Sequence, residues 1–234
     1  IAETGVKVTQ SKQLPYAYYL EQVDHIDDLP GYAQGSFFMQ DIGSMQVVEL
    51  AGIKPGDAVI DVCAAPGGKA MHALAKLHGK GSVQARDLTE NKVSMIEENI
   101  ERCAGAADTI EVLVWDARIL DPQAVEKADV VIADLPCSGL GVIGRKSDIK
   151  YRMTPEQVAD IAALQREILS VVWQYVKPGG ILMYSTCTLT KAENQDNRDW
   201  FLENSPFTLL EEKELLPSAE TDGFYMIKCR RNKA

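Results

Sequence analysis

Cysteine pairing is the first thing this sequence lacks. Its 234 residues include five cysteines, Cys63, Cys103, Cys137, Cys187 and Cys229. The number is odd, the spacings are wide and no CxxC occurs, which argues against a disulfide framework and leaves no zinc-ligand pattern. Histidine is scarce too. His25, His72 and His78 stand at no metal or triad spacing and read as surface or helix residues, so no metal is expected. No apolar run is long enough to span a bilayer and no secretory signal opens the chain. Free thiols in a chain of this size fit a reducing, cytoplasmic setting. Basic excess is also missing: the net charge is −10, whereas a stand-alone nucleic-acid binder is usually basic. Any phosphate contacts must come from a local patch or a basic partner domain. Position 1 is Ile1, not methionine, so a piece of a longer chain is expected, and missing targeting signals carry little weight.

What is present reads as one α/β domain with a small appendage, the length and the 46% hydrophobic, 25% charged composition being ordinary for a globular protein. Residues 1–35 show no long period and read as the remnant of an N-terminal subdomain. Residues 36–234 are regular. DIGSMQVVELAGI reads as an amphipathic helix with Val47, Val48 and Leu50 inward, and AVIDV (58–62) as a buried parallel strand. SVQARD (82–87), IEVLVWD (110–116), DVVIAD (129–134) and ILMYST (181–186) repeat that pattern, with helical stretches between them. Thr89 caps one helix; Thr154-Pro155-Glu156-Gln157 opens another with a capping box, and Lys177-Pro178-Gly179-Gly180 ends it. KAENQDNRDWFLENS reads as a polar helix, FTLLEE and GFYMIKC as closing antiparallel strands, and 135–153 as a long loop. Strands alternating with helices predict a doubly wound, mostly parallel, seven-stranded sheet, with ligands beyond the carboxyl ends of the strands.

The chemistry lies just past the strand ends. After the first strand comes Cys63-Ala64-Ala65-Pro66-Gly67-Gly68-Lys69. Its small residues let a ligand approach the backbone, and the amides opening the next helix favour a polar or anionic group. Asp87, Asp116 and Asp134 close the next three strands. Each alone reads equally well as a turn residue, but three in register with a glycine-rich loop point to one crevice, where Asp87 can accept from a ribose diol. Lys69 belongs to no phosphate-binding GxxxxGK[ST] loop. Gly139-Leu140-Gly141-Val142-Ile143-Gly144 spells GxGxxG, but Arg145-Lys146-Ser147-Asp148 does not open a helix, so a dinucleotide fingerprint is not supported. Cys137, just past the fourth strand, and Cys187, just past the fifth, fall at neighbouring strand mouths. Free cysteines are often inert core residues, the reading kept for Cys103 and Cys229, whereas two thiols beside an acid favour chemistry.

DVCAAPGGKA (61–70), DLPCSG (134–139) and STCT (185–188), in this order, resemble the NOL1/NOP2/Sun family of RNA 5-methylcytosine methyltransferases. GVIGRKSDIKYR (141–152) and DGFYMIKC (222–229) point within it to bacterial members acting on 16S ribosomal RNA. The resemblance covers residues 36–232. It implies a Rossmann-like class I methyltransferase fold, and S-adenosylmethionine bound by Cys63, Ala64, Ala65, Pro66, Gly67, Gly68, Lys69, Asp87, Asp116 and Asp134. It implies Cys187 as nucleophile and Cys137 as the residue assisting product release. Carbon 5 of cytosine is a poor nucleophile; a thiolate added at carbon 6 makes it enamine-like, and a base must later remove the carbon 5 proton so that the thiol leaves. In that scheme Cys137 is the base or relay, Asp134 contacts the cytosine edge or the sulfonium ligand, and Lys69 is a candidate for lowering the pKa of Cys187. Arg145, Lys146, Lys150 and Arg152 are candidates for holding RNA backbone, or else a solvated basic loop. Ala70, Leu140 and Gly144 depart from the family pattern, which bears on RNA contacts more than on chemistry. The N-terminal RNA-binding domain of such relatives is expected to lie outside this chain, and a monomer is expected. A DNA cytosine methyltransferase, which would use Cys137 as nucleophile, and a non-catalytic RNA-binding relative are the alternatives.

Overall fold

Each apolar run bounded by turn residues becomes a strand of one sheet. The computed structural model describes residues 4–104, 108–218 and 220–233. A two-stranded antiparallel hairpin, β1 (Lys7–Gln10) and β2 (Tyr18–Glu21), precedes the main body. There follow α1 (Ile42–Ala51), β3 (Ala58–Asp61), α2 (Gly68–Leu77), β4 (Ser82–Asp87), α3 (Glu90–Ala104), β5 (Ile110–Val114) and β6 (Ala128–Asp134). The chain continues through the single turn α4 (Ile149–Arg152), α5 (Pro155–Val172), β7 (Val176–Thr186), α6 (Gln195–Asn204), β8 (Phe207–Leu215) and β9 (Phe224–Arg231). Seven strands pair in the order β5-β4-β3-β6-β7-β9-β8. β3 to β7 are parallel, and β9 runs antiparallel to both neighbours, so β8 and β9 form the expected closing edge. The order reverses between β3 and β6, the position at which a doubly wound sheet opens a crevice beyond its strand ends.

The core lies on both faces. α1, α2 and α3 cover one face, where Val47, Val48, Ala70, Ala73, Leu77 and Ile96 pack on Val59, Val83, Ala85 and Ile132. α5 and α6 cover the other, with Ile168, Leu169, Val172 and Phe201 on Val131, Ala133, Leu182 and Tyr184. The capping box at Thr154 and Gln157 forms as expected. No helix bridges β5 and β6. There Arg86 lies on the second face, ion-paired to Asp121 at 2.8 Å and near the rings of Trp115 and Tyr175, beside an open cavity.

Three local expectations change. Lys177–Gly180 does not end a helix: α5 stops at Val172, a 3₁₀ turn follows, and the tetrapeptide lies inside β7. Val176 pairs with Ala128 and Ile181 with Val130, so the intervening residues bulge out of the ladder, with Gly179 at φ +85°. A Cβ on Gly180 would sit 2.9 Å from the Asp129 carbonyl, which is why glycine suits that position. The 135–153 loop contains a 3₁₀ turn at Leu140–Val142 and the α4 turn. The polar helix begins only at Gln195, because Glu193 and Asn194 are fully buried elsewhere. His72 is a helix residue of α2, as expected, and it is buried at 5% exposed, its Nε2 contacting Tyr16 Oη and Glu49 Oε1.

Candidate active site

Backbone bonds hold the glycine-rich loop across the switch point. Val62 N–H donates to the Ile132 carbonyl at 3.0 Å and Ala64 N–H to the Arg86 carbonyl at 2.8 Å, tying the loop to β6 and β4. Gly67, at φ +105°, stands at the N-terminus of α2, where no side chain caps the helix. The opening amides therefore face outward as donors for a polar group. Asp87, 3% exposed, accepts from Ala65 N–H at 3.0 Å and Leu88 N–H at 2.8 Å and pairs with Lys92 at 3.0 Å. Asp134 receives Lys69 Nζ at 2.5 Å and the Ser185 hydroxyl at 2.7 Å. Asp116 is engaged differently: Arg118, two residues on, grips both of its oxygens and pulls its pKa down. Burial pushes the Cys63 thiol up, with Asp87, Asp61 and Asp134 adding, so it is a protonated wall of the loop.

Sequence reasoning missed one acid of this cluster. Asp61 ends β3, is 1% exposed, and neither of its carboxyl oxygens has a hydrogen-bond partner. Burial lifts its pKa to about 7; Asp134 and Asp87 add to the rise and Lys69 opposes it. Its signal was present: an acid closing an apolar strand is costly to bury unless something pairs with it.

The two cysteines meet. Cys137 Sγ and Cys187 Sγ are 3.0 Å apart, and Cys187 N–H donates to Cys137 Sγ at 3.3 Å. The contact splits their acidities. The Cys137 S–H lowers the pKa of Cys187, Lys69 helping while burial and Asp134 oppose. Cys137, bonded to Cys187 and buried, is raised well above the ordinary thiol value. Lys69, the candidate cause in the chain itself, is therefore a lesser one, because Asp134 already offsets its charge at 2.5 Å. Cys103 and Cys229 lie apart, and burial raises both.

Of the four basic residues on the loop, Arg145 is already held. It pairs with Asp41 at 3.0 Å and Asp222 at 3.1 Å, so two carboxylates offset its charge. Asp41 also caps α1 through Gly43 N–H. Arg152 pairs with Asp148 at 3.5 Å, Lys146 is exposed, and the Lys150 side chain lies outside the described residues. The GxGxxG string has a packing explanation. Gly141 N–H donates to the Cys187 carbonyl at 3.0 Å and Gly223 N–H to the Gly141 carbonyl at 2.9 Å. A Cβ on Gly141 would lie 2.2 Å from the Gly223 oxygen and 2.7 Å from the Cys187 oxygen.

The profile of the family described as "16S rRNA methyltransferase RsmB/F" matches residues 48–229. A ribosomal RNA small subunit methyltransferase B from Vibrio cholerae is 36% identical over 96% of this chain and 53% of its own length. The crystal structure of PH0851 superposes with a TM-score of 0.92 at 30% identity, over 97% of this chain and 54% of that one. NSun6 from Pyrococcus horikoshii with SFG gives 0.82 at 29% identity, over 91% and 57%. The chain thus spans about half the length of the curated relatives it matches. With a profile match across most of the seven-stranded domain, the chain belongs to the 16S rRNA methyltransferase RsmB/F family.

Proposed function

We propose that this protein transfers a methyl group from S-adenosylmethionine to carbon 5 of a cytosine in RNA, 16S ribosomal RNA being the substrate class, and that residues 36–234 form its catalytic unit. The observation that carries the reading is the thiol pair at 3.0 Å, at the mouths of adjacent strands beside the glycine-rich loop. A methyl transfer to a more nucleophilic atom would use the loop but has no need of either thiol.

The residues present fit the cofactor. The uncapped amides of α2 suit its carboxylate, and the unpartnered Asp61 suits a cationic group. Asp87 keeps acceptor capacity for a ribose diol at Oδ2, which receives only the Ala65 N–H, whereas Oδ1 already takes the Leu88 N–H and Lys92. Asp116 and the Cys63–Lys69 backbone complete the contacts assigned to it. When bound, the cofactor supplies an electrophilic methyl group.

The chain supplies the rest. Cys187, the more acidic thiol, adds to carbon 6 of cytosine. Once Cys187 is consumed in the adduct it no longer accepts the Cys137 S–H, which passes its proton to the cytosine ring as that ring gains electron density. The resulting Cys137 thiolate takes the carbon 5 proton directly or through a relay, so that the C–S bond breaks and Cys187 leaves as a thiolate. Asp134 orients the base edge while Lys69 and the Ser185 hydroxyl hold that side chain in place. The target base must leave its stack to reach the thiols; Lys146, Lys150 and Arg152 hold the flanking backbone, and Arg145 braces the loop that carries them. The test is nucleoside analysis of RNA after incubation with the protein and cofactor. Wild-type protein yields 5-methylcytosine and Cys187→Ala yields none; full activity in Cys187→Ala would overturn the assignment.

A further inference from the structure

A buried polar network lies behind the two thiols. Glu193 and Asn194 are consecutive, both 0% exposed, in the turn between β7 and α6. Glu193 Oε2 accepts from Ser138 N–H at 2.8 Å and Gln165 Nε2 at 3.1 Å; Oε1 accepts from the Ser138 hydroxyl at 2.6 Å and the Thr190 hydroxyl at 2.7 Å. Gln165, on α5, also donates to the Pro136 carbonyl at 2.8 Å. Both chain neighbours of Cys137 are therefore gripped. Asn194 does the same for Cys187. Its Oδ1 accepts from the Thr186 hydroxyl at 2.7 Å and its Nδ2 donates to the Thr188 carbonyl at 2.9 Å. The two halves join where the Ser138 and Thr188 hydroxyls meet at 2.8 Å.

All four contacts to the Glu193 carboxylate come from donors; the two N–H groups at Oε2 require an acceptor there, whereas the two hydroxyls at Oε1 can donate or accept. Burying a carboxylate is costly, and an apolar residue would fill this space without that cost. We infer that Glu193 and Asn194 are positioning residues, one for each cysteine, which hold the two thiols in direct contact. The inference rests on the reading of Cys187 and Cys137 as the working pair. Neither residue touches a reacting atom; each acts through the loop it grips. Without the clamp the loops are free to separate, the Cys137 S–H no longer supports the Cys187 thiolate, and proton removal loses its alignment.

The test reads the thiols separately from methyl transfer. The rate of Cys187 alkylation by iodoacetamide, mapped by peptide mass, is followed against pH in the intact protein. Lys69 and Asp134, which also face Cys187, are left unaltered. Glu193→Ala and Asn194→Ala are expected to move the alkylation midpoint upward and lower kcat by at least about tenfold, with KM for RNA within about twofold. Glu193→Gln keeps one accepting oxygen, and the hydroxyl donors can turn to accept from its amide, so it recovers much of both. Should the alanine variants fail to fold, Ser138→Ala, which deletes the hydroxyl contacts to Glu193 and Thr188, and Thr186→Val, which deletes one contact to Asn194, give smaller shifts of the same sign. A midpoint unchanged in every folded variant overturns the inference. A shifted midpoint in a protein that makes no 5-methylcytosine keeps the clamp and overturns the functional reading instead.

Discussion

At the residue scale the proposed mechanism depends on an asymmetry between two side chains of the same type. Cys137 and Cys187 have identical intrinsic acidity, and their contact at 3.0 Å makes one the donor and the other the acceptor. Because Cys137 is the largest cause of the lowered Cys187 pKa, its removal has a defined sign. Loss of the S–H donor takes stabilisation from the thiolate, so the folded-state pKa of Cys187 rises, and its alkylation profile in Cys137→Ala shifts to higher pH. A profile that stays put would mean that Lys69 sets the acidity. The same variant separates the roles in catalysis. On the proposed roles Cys187 should still add to cytosine while the carbon 5 proton is no longer removed, so a covalent protein–RNA species is expected to accumulate on denaturing gels, with little in the wild type; no such accumulation would remove Cys137 from that role. The placement of both cysteines at neighbouring strand ends was legible in the sequence. Their order of acidity was not, because it depends on a tertiary contact between residues fifty positions apart.

At the scale of elements, the loops between strand ends carry more constraint than their composition suggests. Gly141 threads between the carbonyls of Gly223 and Cys187, and any Cβ there overlaps both. Gly141→Ala should therefore cost about 1–3 kcal/mol by overpacking, read as a lower midpoint in urea, and should depress methyl transfer because the displaced carbonyl belongs to Cys187. Wild-type stability in that variant would show that the loop has room to yield. The basic loop divides similarly. Lys146→Ala and Arg152→Ala should each reduce the salt dependence of RNA binding, by about 0.7 in log–log slope for every single-strand phosphate left without its cation. Arg145→Ala should leave the slope largely unaltered and lower stability, since Asp41 and Asp222 lose the cation between them. Capping at Thr154 and the closing strands could be read directly, as local rules govern them. The bulge at Lys177–Gly180 and the late start of α6 could not. In both places tertiary pairing overrides a local signal: Ala128 with Val176 in the first, and the donors around Glu193 in the second.

On the scale of the whole molecule, the sheet order arises from strands alternating with helices, and so does the position of the crevice. What the pattern hides is the electrostatic cost of that crevice. Asp61 lies buried among Asp87, Asp134 and Lys69, with a pKa of about 7, against about 3.9 in an unfolded chain. Between these values the folded state binds more protons than the unfolded one. Stability contributed by the protonated form is thus full below about pH 4, falls as pH rises through the window, and levels off above about pH 7. The total change is up to about 4 kcal/mol. Without cofactor, Asp61→Asn should flatten that slope in urea melts taken at several pH values; an unaltered slope would place the titrating group elsewhere. The most direct test of the central claim uses RNA carrying 5-fluorocytosine at the target, incubated with the protein and S-adenosylmethionine, then digested and mapped by mass spectrometry. Fluorine at carbon 5 blocks the final elimination, so the attacking thiol stays attached. The proposed mechanism predicts the adduct on the peptide containing Cys187; an adduct on the peptide containing Cys137 would contradict it.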